Sequence, residues 1–137
     1  MLLSQDVRTA RVSDAVVAGQ TAVTSDAVDS RDFDTVEFVA LLGAVTAGGS
    51  GTLKVQGSDE SATGFADLSG ASATYADTDS DGVLMVEVSQ PIKRYLRAVI
   101  ERDGADAVVD GVIALQGNGA ILPVEQPVAS TLVLAPA

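Results

Sequence analysis

Three alternating aspartates, in the stretch DTDSDG at 77–82, are the residues best placed to bind a metal ion. Asp77, Asp79 and Asp81 match the first half of an EF-hand loop, in which carboxylate oxygens surround a calcium ion. The complete loop needs a bidentate glutamate at its twelfth position, which is Val88 here, and a strand pattern follows instead of a helix. The competing interpretation is a solvated turn that uses aspartate and glycine for its geometry. We favour the turn and expect no cofactor, with calcium as the alternative.

Groups that could catalyse a reaction are scarce. The chain contains no histidine and no cysteine, which removes the commonest general base and the thiol nucleophile. Carboxylate pairs at 31–34 and 58–61 could serve a glycosidase, but only at a defined separation. Aspartates beside glycine, serine or threonine are more typical of turns. The stretch GGSG at 48–51 lacks the lysine of a phosphate-binding loop. We therefore predict that the protein is not an enzyme.

Half of the positive side chains, 4 of 8, lie in PIKRYLRAVIER at 91–102, in a chain of formal net charge −11. A nucleic-acid patch has little support, because the stretch holds one aromatic residue and the rest of the chain repels phosphate. Arginine presents a planar donor fork that suits carboxylates, so we expect ion pairs, either within one subunit or across a subunit interface. The interface candidates are Lys93, Arg94, Tyr95, Arg97 and Arg102.

The composition indicates a folded, acidic and soluble protein. The length of 137 residues suits one domain, and 47% hydrophobic residues with a mean hydropathy of +0.30 argue against disorder. A sequence pI of about 4.1 predicts repulsion from nucleic acid and from anionic membranes. The sequence shows no signal peptide and no apolar run of about 20 residues. We expect synthesis in a cytoplasm.

Alternation of apolar and polar residues with a period of two predicts strands along most of the chain. It is clear at 52–56, 83–89 and 106–116, whereas 33–45 fits a strand covered on both faces or a short helix. Turn residues separate these runs, so we predict an all-β fold, an antiparallel sandwich or jelly roll. The faces predicted to be apolar are Leu53 and Val55; Leu84, Val86 and Val88; and Ala107, Val109, Ile113 and Leu115, the last set opposite Asp106, Asp110 and Gln116.

The stretch at 91–102 is also predicted to be a strand. The strand is expected to begin just after Pro91, and Asp103-Gly104 separates it from the run at 106–116, which together indicate a hairpin. Its apolar face is predicted to hold Ile92, Leu96, Ala98 and Ile100.

The two ends differ from the body at 31–117. Residues 1–30 carry little bulk, and residues 118–137 contain three of the 4 prolines. We interpret each end as an extended arm or an edge strand. Such arms often pack on another subunit, and a frayed terminus is the alternative.

Several segments together suggest a family. TLKVQGSDES, then Phe65-Ala66-Asp67-Leu68, then QPIKRYLRAVIER and DAVVDGVIALQGN follow one another in an order that resembles small head proteins of tailed bacteriophages. The resemblance spans 30–125. It implies a capsid decoration, or cement, protein with a jelly-roll body. It also implies a homotrimer at three-fold positions on the outside of the shell, with the major capsid protein as partner.

The expected function is therefore a structural virion protein that stabilises the capsid, located on the capsid surface and made in the host cytoplasm. We expect no nucleic-acid or membrane partner. A tail or head-completion component is one alternative. A calcium-assisted carbohydrate-binding module is another, although such modules usually stack exposed aromatic rings on sugars and this chain has no tryptophan.

Overall fold

A computed structural model describes residues 2–120 and 122–133. A helical turn, α1 (Leu3–Asp6), precedes ten strands, and a 3₁₀ turn lies at Asp77–Asp79. No helix in the described part of the chain is long and apolar enough to cross a membrane. The strands are β1 (Val7–Ser13), β2 (Val16–Gly19), β3 (Val23–Thr24), β4 (Val28–Asp29), β5 (Thr35–Val45), β6 (Ser50–Ser58), β7 (Ala66–Ala76), β8 (Val83–Ser89), β9 (Tyr95–Asp103) and β10 (Ala107–Gly117).

The strands form two five-stranded antiparallel sheets that face each other. Sheet A has the order β1-β10-β5-β8, with β2 also paired to β10. Sheet B has the order β3-β9-β6-β7, with β4 also paired to β9. The first and last strands are neighbours in one sheet and most connections cross between the sheets, which is the jelly-roll arrangement. The predicted all-β sandwich is confirmed.

The core lies between the inner faces of the two sheets. Phe38 of β5, Leu53 of β6 and Ile100 of β9 are completely buried, and most of the remaining core side chains are valine, leucine and alanine. The predicted inner faces of β6 and β8 are correct, because Leu53, Val55 and Val86 are buried. The stretch at 33–45 is a strand from Thr35 onward, and its central place in sheet A explains its continuous apolar character.

The predicted face of β10 is wrong beyond its midpoint. The pairing of β10 with β5 shifts register between Ala107 and Val109 and again between Val109 and Gly111. Such a β-bulge reverses the faces of the residues that follow it. Val112 and Gln116 are therefore buried, whereas Ile113 and Leu115 lie half-buried on the outer face.

The predicted hairpin between the two last strands is also wrong. The strand begins at Tyr95, pairs in sheet B, and is followed at Asp103-Gly104 by a crossing to β10 in sheet A. The strands pair with other neighbours instead, β9 with β6 and β10 with β5, and each buries one face in the core between the sheets. Ile92 precedes the strand and is 87% exposed, so it does not join the buried face.

The terminal segments both contact sheet A. The N-terminal 30 residues contribute β1 to β4, which are edge positions of the two sheets. Residues 122–133 form no strand and run beside β1. There, the Val124 amide donates to the Gln5 carbonyl at 2.9 Å, and the Gln126 side chain accepts from the Thr9 amide at 2.8 Å.

Candidate functional site

The three aspartates proposed as calcium ligands lie in the connection from β7 to β8. The Asp77 carboxylate accepts a hydrogen bond from the Gly48 amide at 2.7 Å, and the Asp79 carboxylate accepts one from the Ala76 amide at 2.8 Å. Asp81 adopts a left-handed backbone conformation, with φ of 61°. Across residues 2–120 and 122–133, no three acidic side chains come together as a metal site would require. The carboxylates of Asp77 and Asp79 stabilise the turn itself.

Two of the predicted interface cations pair with carboxylates of their own chain. The Lys93 ammonium lies 3.0 Å from Asp59, and the Arg94 guanidinium binds both carboxylate oxygens of Asp29 at 3.1 and 2.9 Å. The hydrogen bond from Arg94 holds the pKa of Asp29 below its ordinary value. These pairs are solvent-exposed, so water and salt screen their attraction and they contribute little to stability.

The outer face of sheet B is similarly saturated by contacts within the subunit. Arg97 donates to the Gln56 side chain at 2.9 Å, and its guanidinium lies 4.2 Å from the centre of the Phe65 ring. The Arg94 guanidinium lies 5.0 Å from the centre of the Tyr95 ring. Cations at these distances are attracted by the π face of the ring. The polar side chains on the outer face of sheet B thus contact mainly one another.

Arg102 is the exception among the predicted interface residues, because it is only 3% exposed. It continues the inward alternation of Leu96, Ala98 and Ile100 and points into the sandwich. Its guanidinium donates to the carbonyls of Thr21, Val17 and Ala107 at 2.8, 2.9 and 2.6 Å. Arg102 therefore joins β9 of sheet B to β2 and β10 of sheet A, and the prediction that it forms an interface is wrong for this buried side chain.

The outer face of sheet A is apolar where β5 and β8 run side by side. Val39 lies directly opposite Met85, and Leu41 directly opposite Val83. Val83 is 55% exposed and Met85 is 56% exposed. We call Val39, Leu41, Val83 and Met85 the apolar patch. Val39 and Leu41 are half-buried beside them, and contiguous apolar side chains at a surface are typical of sites that bind other molecules. The alternating pattern of β8 does not reveal this patch, because the pattern identifies the inward residues and Val83 and Met85 point outward.

Two glutamates flank the apolar patch. Glu37 of β5 and Glu87 of β8 are paired directly across the two strands, so two like charges share one face. Thr35 donates its hydroxyl to Glu87 at 2.8 Å. Partial burial, followed by the charge of Glu87, raises the pKa of Glu37 above its ordinary value. The pair therefore forms a spot on this face that attracts a cation.

A groove of about 590 Å³ adjoins the same two glutamates. The groove is lined by Glu37, Glu87 and Leu115 of sheet A and also by Leu3 near the N-terminus and Leu132 of the C-terminal segment. The groove and the apolar patch together form a largely apolar surface with one acidic spot. We take the outer face of sheet A as the candidate binding site.

Comparisons with known proteins bear on the fold. No protein-family model matches the chain, and no curated protein matches it. Among solved structures, the PBSX exported protein XepA is 18% identical over 100% of this chain, with a TM-score of 0.56. The chain spans 45% of the length of that protein.

Two other solved structures share less of the geometry. A protein of Bacillus endospore appendages is 11% identical, with 85% of this chain and 91% of that chain covered and a TM-score of 0.45. The C-terminal family 22 carbohydrate-binding module of Clostridium thermocellum Xyn10B is 14% identical, with coverages of 85% and 94% and a TM-score of 0.42. The likeness to XepA supports the assignment of the chain to a β-sandwich fold.

Proposed function

We propose that the protein is a structural virion component that binds the outside of a tailed-phage capsid and stabilises the shell. The observation that carries this proposal is the exposed apolar patch beside an apolar groove on the outer face of sheet A. The outer face of sheet B, in contrast, satisfies its charges internally. An acidic sandwich with one apolar face is suited to bind a protein surface and to remain soluble elsewhere.

The proposed partner is the major capsid protein. It is inferred from the resemblance of residues 30–125 to phage head proteins. The jelly-roll topology agrees with that resemblance. Assembly as a homotrimer at three-fold positions belongs to the same proposal. The protein would stabilise the shell through the free energy of binding alone. Complete burial of one valine or methionine side chain at the interface contributes about 1.5–3 kcal/mol to that free energy. Contacts that bridge two capsid subunits add their free energy to the stability of the shell.

The test uses shells of the major capsid protein that lack this chain. Purified chain is added back, bound protein is measured by co-sedimentation, and shell disruption is followed by calorimetry. We expect saturable binding and a shell transition several degrees higher, with an unrelated acidic protein at equal concentration as the control. Failure to sediment with the shells, at any concentration up to tens of micromolar, would overturn the proposal.

The carbohydrate-binding alternative ranks second. Sugar-binding modules need an open aromatic face for stacking, and the Phe65 and Tyr95 rings each carry an arginine guanidinium over one face. The sequence contains no tryptophan. A tail or head-completion role differs from the leading proposal chiefly in copy number.

A further inference from the structure

The edges of the two sheets differ in how they are protected from pairing with other chains. Exposed edge strands present unpaired backbone groups, and proteins usually shield them with short strands, bulges, charges or covering segments. On one side of sheet B, β3 and β4 have two residues each. On the other side, β7 contains Gly70 with φ of 79°, near a register shift in its pairing with β6.

The β1 edge of sheet A is shielded by the C-terminal segment. The Gln126 side chain accepts from the Thr9 amide at 2.8 Å and donates to the carbonyls of Ser4 and Val7. These bonds occupy backbone groups that an added strand would need. The edge is therefore closed along part of its length.

The opposite edge of sheet A, β8, is less protected, because its pairing with β5 shows no register shift and Glu87 is its one charged residue. Its sequence VLMVEVS contains no proline, glycine, lysine or arginine over seven residues. Among the described residues, β8 pairs with β5 alone. Its outward side chains include the half-exposed Val83 and Met85 of the apolar patch. A mostly apolar edge strand with a free pairing side is the kind of surface used in recognition by strand addition.

Charge decides which strand fits this edge. Pairing of β8 with β8 of a second copy would bring two Glu37–Glu87 pairs onto one continuous face, in chains that each carry a net charge of −11. Pairing with β1 of a second copy is hindered by Gln126. A segment that carries a positive side chain next to Glu87 would instead complement the acidic spot.

We propose that β8 accepts an extended segment of a partner protein as an added strand of sheet A. The segment places apolar side chains beside Val83 and Met85 and an arginine or lysine beside Glu87. That the segment belongs to the major capsid protein rests on the proposed function. The face of sheet A sets the chemistry of this segment, which must carry two apolar side chains two residues apart and, two residues from one of them, a cation that lies beside Glu87.

The test compares two variants that gain the same charge at exposed valine or methionine positions. Met85→Lys adds a cation on the β8 edge, whereas Val17→Lys adds one at an 82% exposed site on β2. Each is titrated against shells of the major capsid protein that lack this chain. We expect Met85→Lys to bind at least tenfold more weakly, Val17→Lys to match the wild type within about twofold, and both to melt like the wild type. Glu87→Gln should weaken binding and reduce its dependence on salt.

A second measurement reports the backbone directly. Hydrogen exchange of the amides at 83–89 is compared with and without bound shells, and strand addition predicts slower exchange along this edge but unchanged exchange in β7. Equal shell binding by Met85→Lys and the wild type, or unchanged exchange at 83–89, would overturn strand addition while leaving the capsid assignment intact. Absence of wild-type binding would overturn the capsid assignment itself. If Met85→Lys converts an oligomer to a monomer, then β8 contacts a second copy of this chain. That result would also overturn the proposal.

Discussion

Replacement of the buried Arg102 by alanine is expected to destabilise the protein strongly. Arg102 donates hydrogen bonds to the carbonyls of Thr21, Val17 and Ala107, which lie on different segments of the chain. It also donates to the Thr21 hydroxyl at 3.2 Å. The variant leaves these carbonyls without their donor and removes the contact between β9 and β10 that spans the two sheets.

The magnitude follows from the number of carbonyls that lose a partner. The bond to the Ala107 carbonyl is buried and the bonds to Thr21 and Val17 are partly buried, and a hydrogen bond from a charged donor contributes about 1.5–3 kcal/mol. Relief from burying the guanidinium charge offsets part of this loss, and water can enter the space that the side chain vacates. We expect a net loss of about 4 kcal/mol, which corresponds to a fall in Tm of roughly 12 °C for a domain of this size.

Urea denaturation followed by circular dichroism measures the change in the free energy of unfolding. The control is Arg11→Ala, since Arg11 is exposed and its pair with the exposed Asp14 is long, at 3.4 Å, so its removal should change stability by less than about 0.5 kcal/mol. Arg102→Lys should recover less than half of the loss, because one ammonium cannot replace the planar fork. A difference below about 1 kcal/mol between Arg102→Ala and Arg11→Ala would refute the role of Arg102 in joining the two sheets.

Other predictions concern charge, calcium and assembly. Because burial and Glu87 raise the pKa of Glu37, the folded state retains this proton to higher pH than the unfolded state, and stability falls as pH rises above the ordinary value of 4.5. Glu37→Gln should therefore stabilise the protein by about 0.5 kcal/mol at pH 7 but leave its stability unchanged at pH 3, as urea titrations at both pH values would show. EDTA should shift the melting temperature by less than about 1 °C, whereas a fall of many degrees would mean that Asp77, Asp79 and Asp81 hold an ion. Light scattering at micromolar concentration should give a trimeric mass, and a strictly monomeric mass would count against self-assembly.

Local alternation was sufficient to predict the fold class and several strand faces. Leu53 and Val55 face inward as their spacing requires, because β6 pairs with β9 in unbroken register. The prediction failed for Gln116, which the register shifts in β10 turn into the core. A bulge depends on the partner strand as well as on the sequence of the bulged strand, so alternation alone does not reveal it.

The hairpin between β9 and β10 failed for a related reason. A turn at Asp103-Gly104 specifies a reversal of the chain but not whether the next strand pairs beside the previous one or crosses to the opposite sheet. That choice depends on β5 and β6, which are distant in sequence and occupy the pairing positions.

The binding surface was predictable only in part. The alternation of Leu96, Ala98 and Ile100 continues to Arg102 and places it on the inner face. The burial of Arg102 was therefore predictable from the sequence. The unbroken apolar run VLMV in β8 likewise contained outward residues Val83 and Met85. What the sequence could not show is that Glu37 lies opposite Glu87, because cross-strand register is a property of the assembled sheet.

The copy number of this chain in the virus particle tests the central claim most directly. Particles purified from the source are separated by gel, and the chain is quantified by mass spectrometry against the major capsid protein with labelled standards. The proposed shell role predicts a simple ratio between the two proteins and hundreds of copies per particle. A handful of copies would move the protein to the tail or neck, and its absence from the particle would contradict the virion assignment.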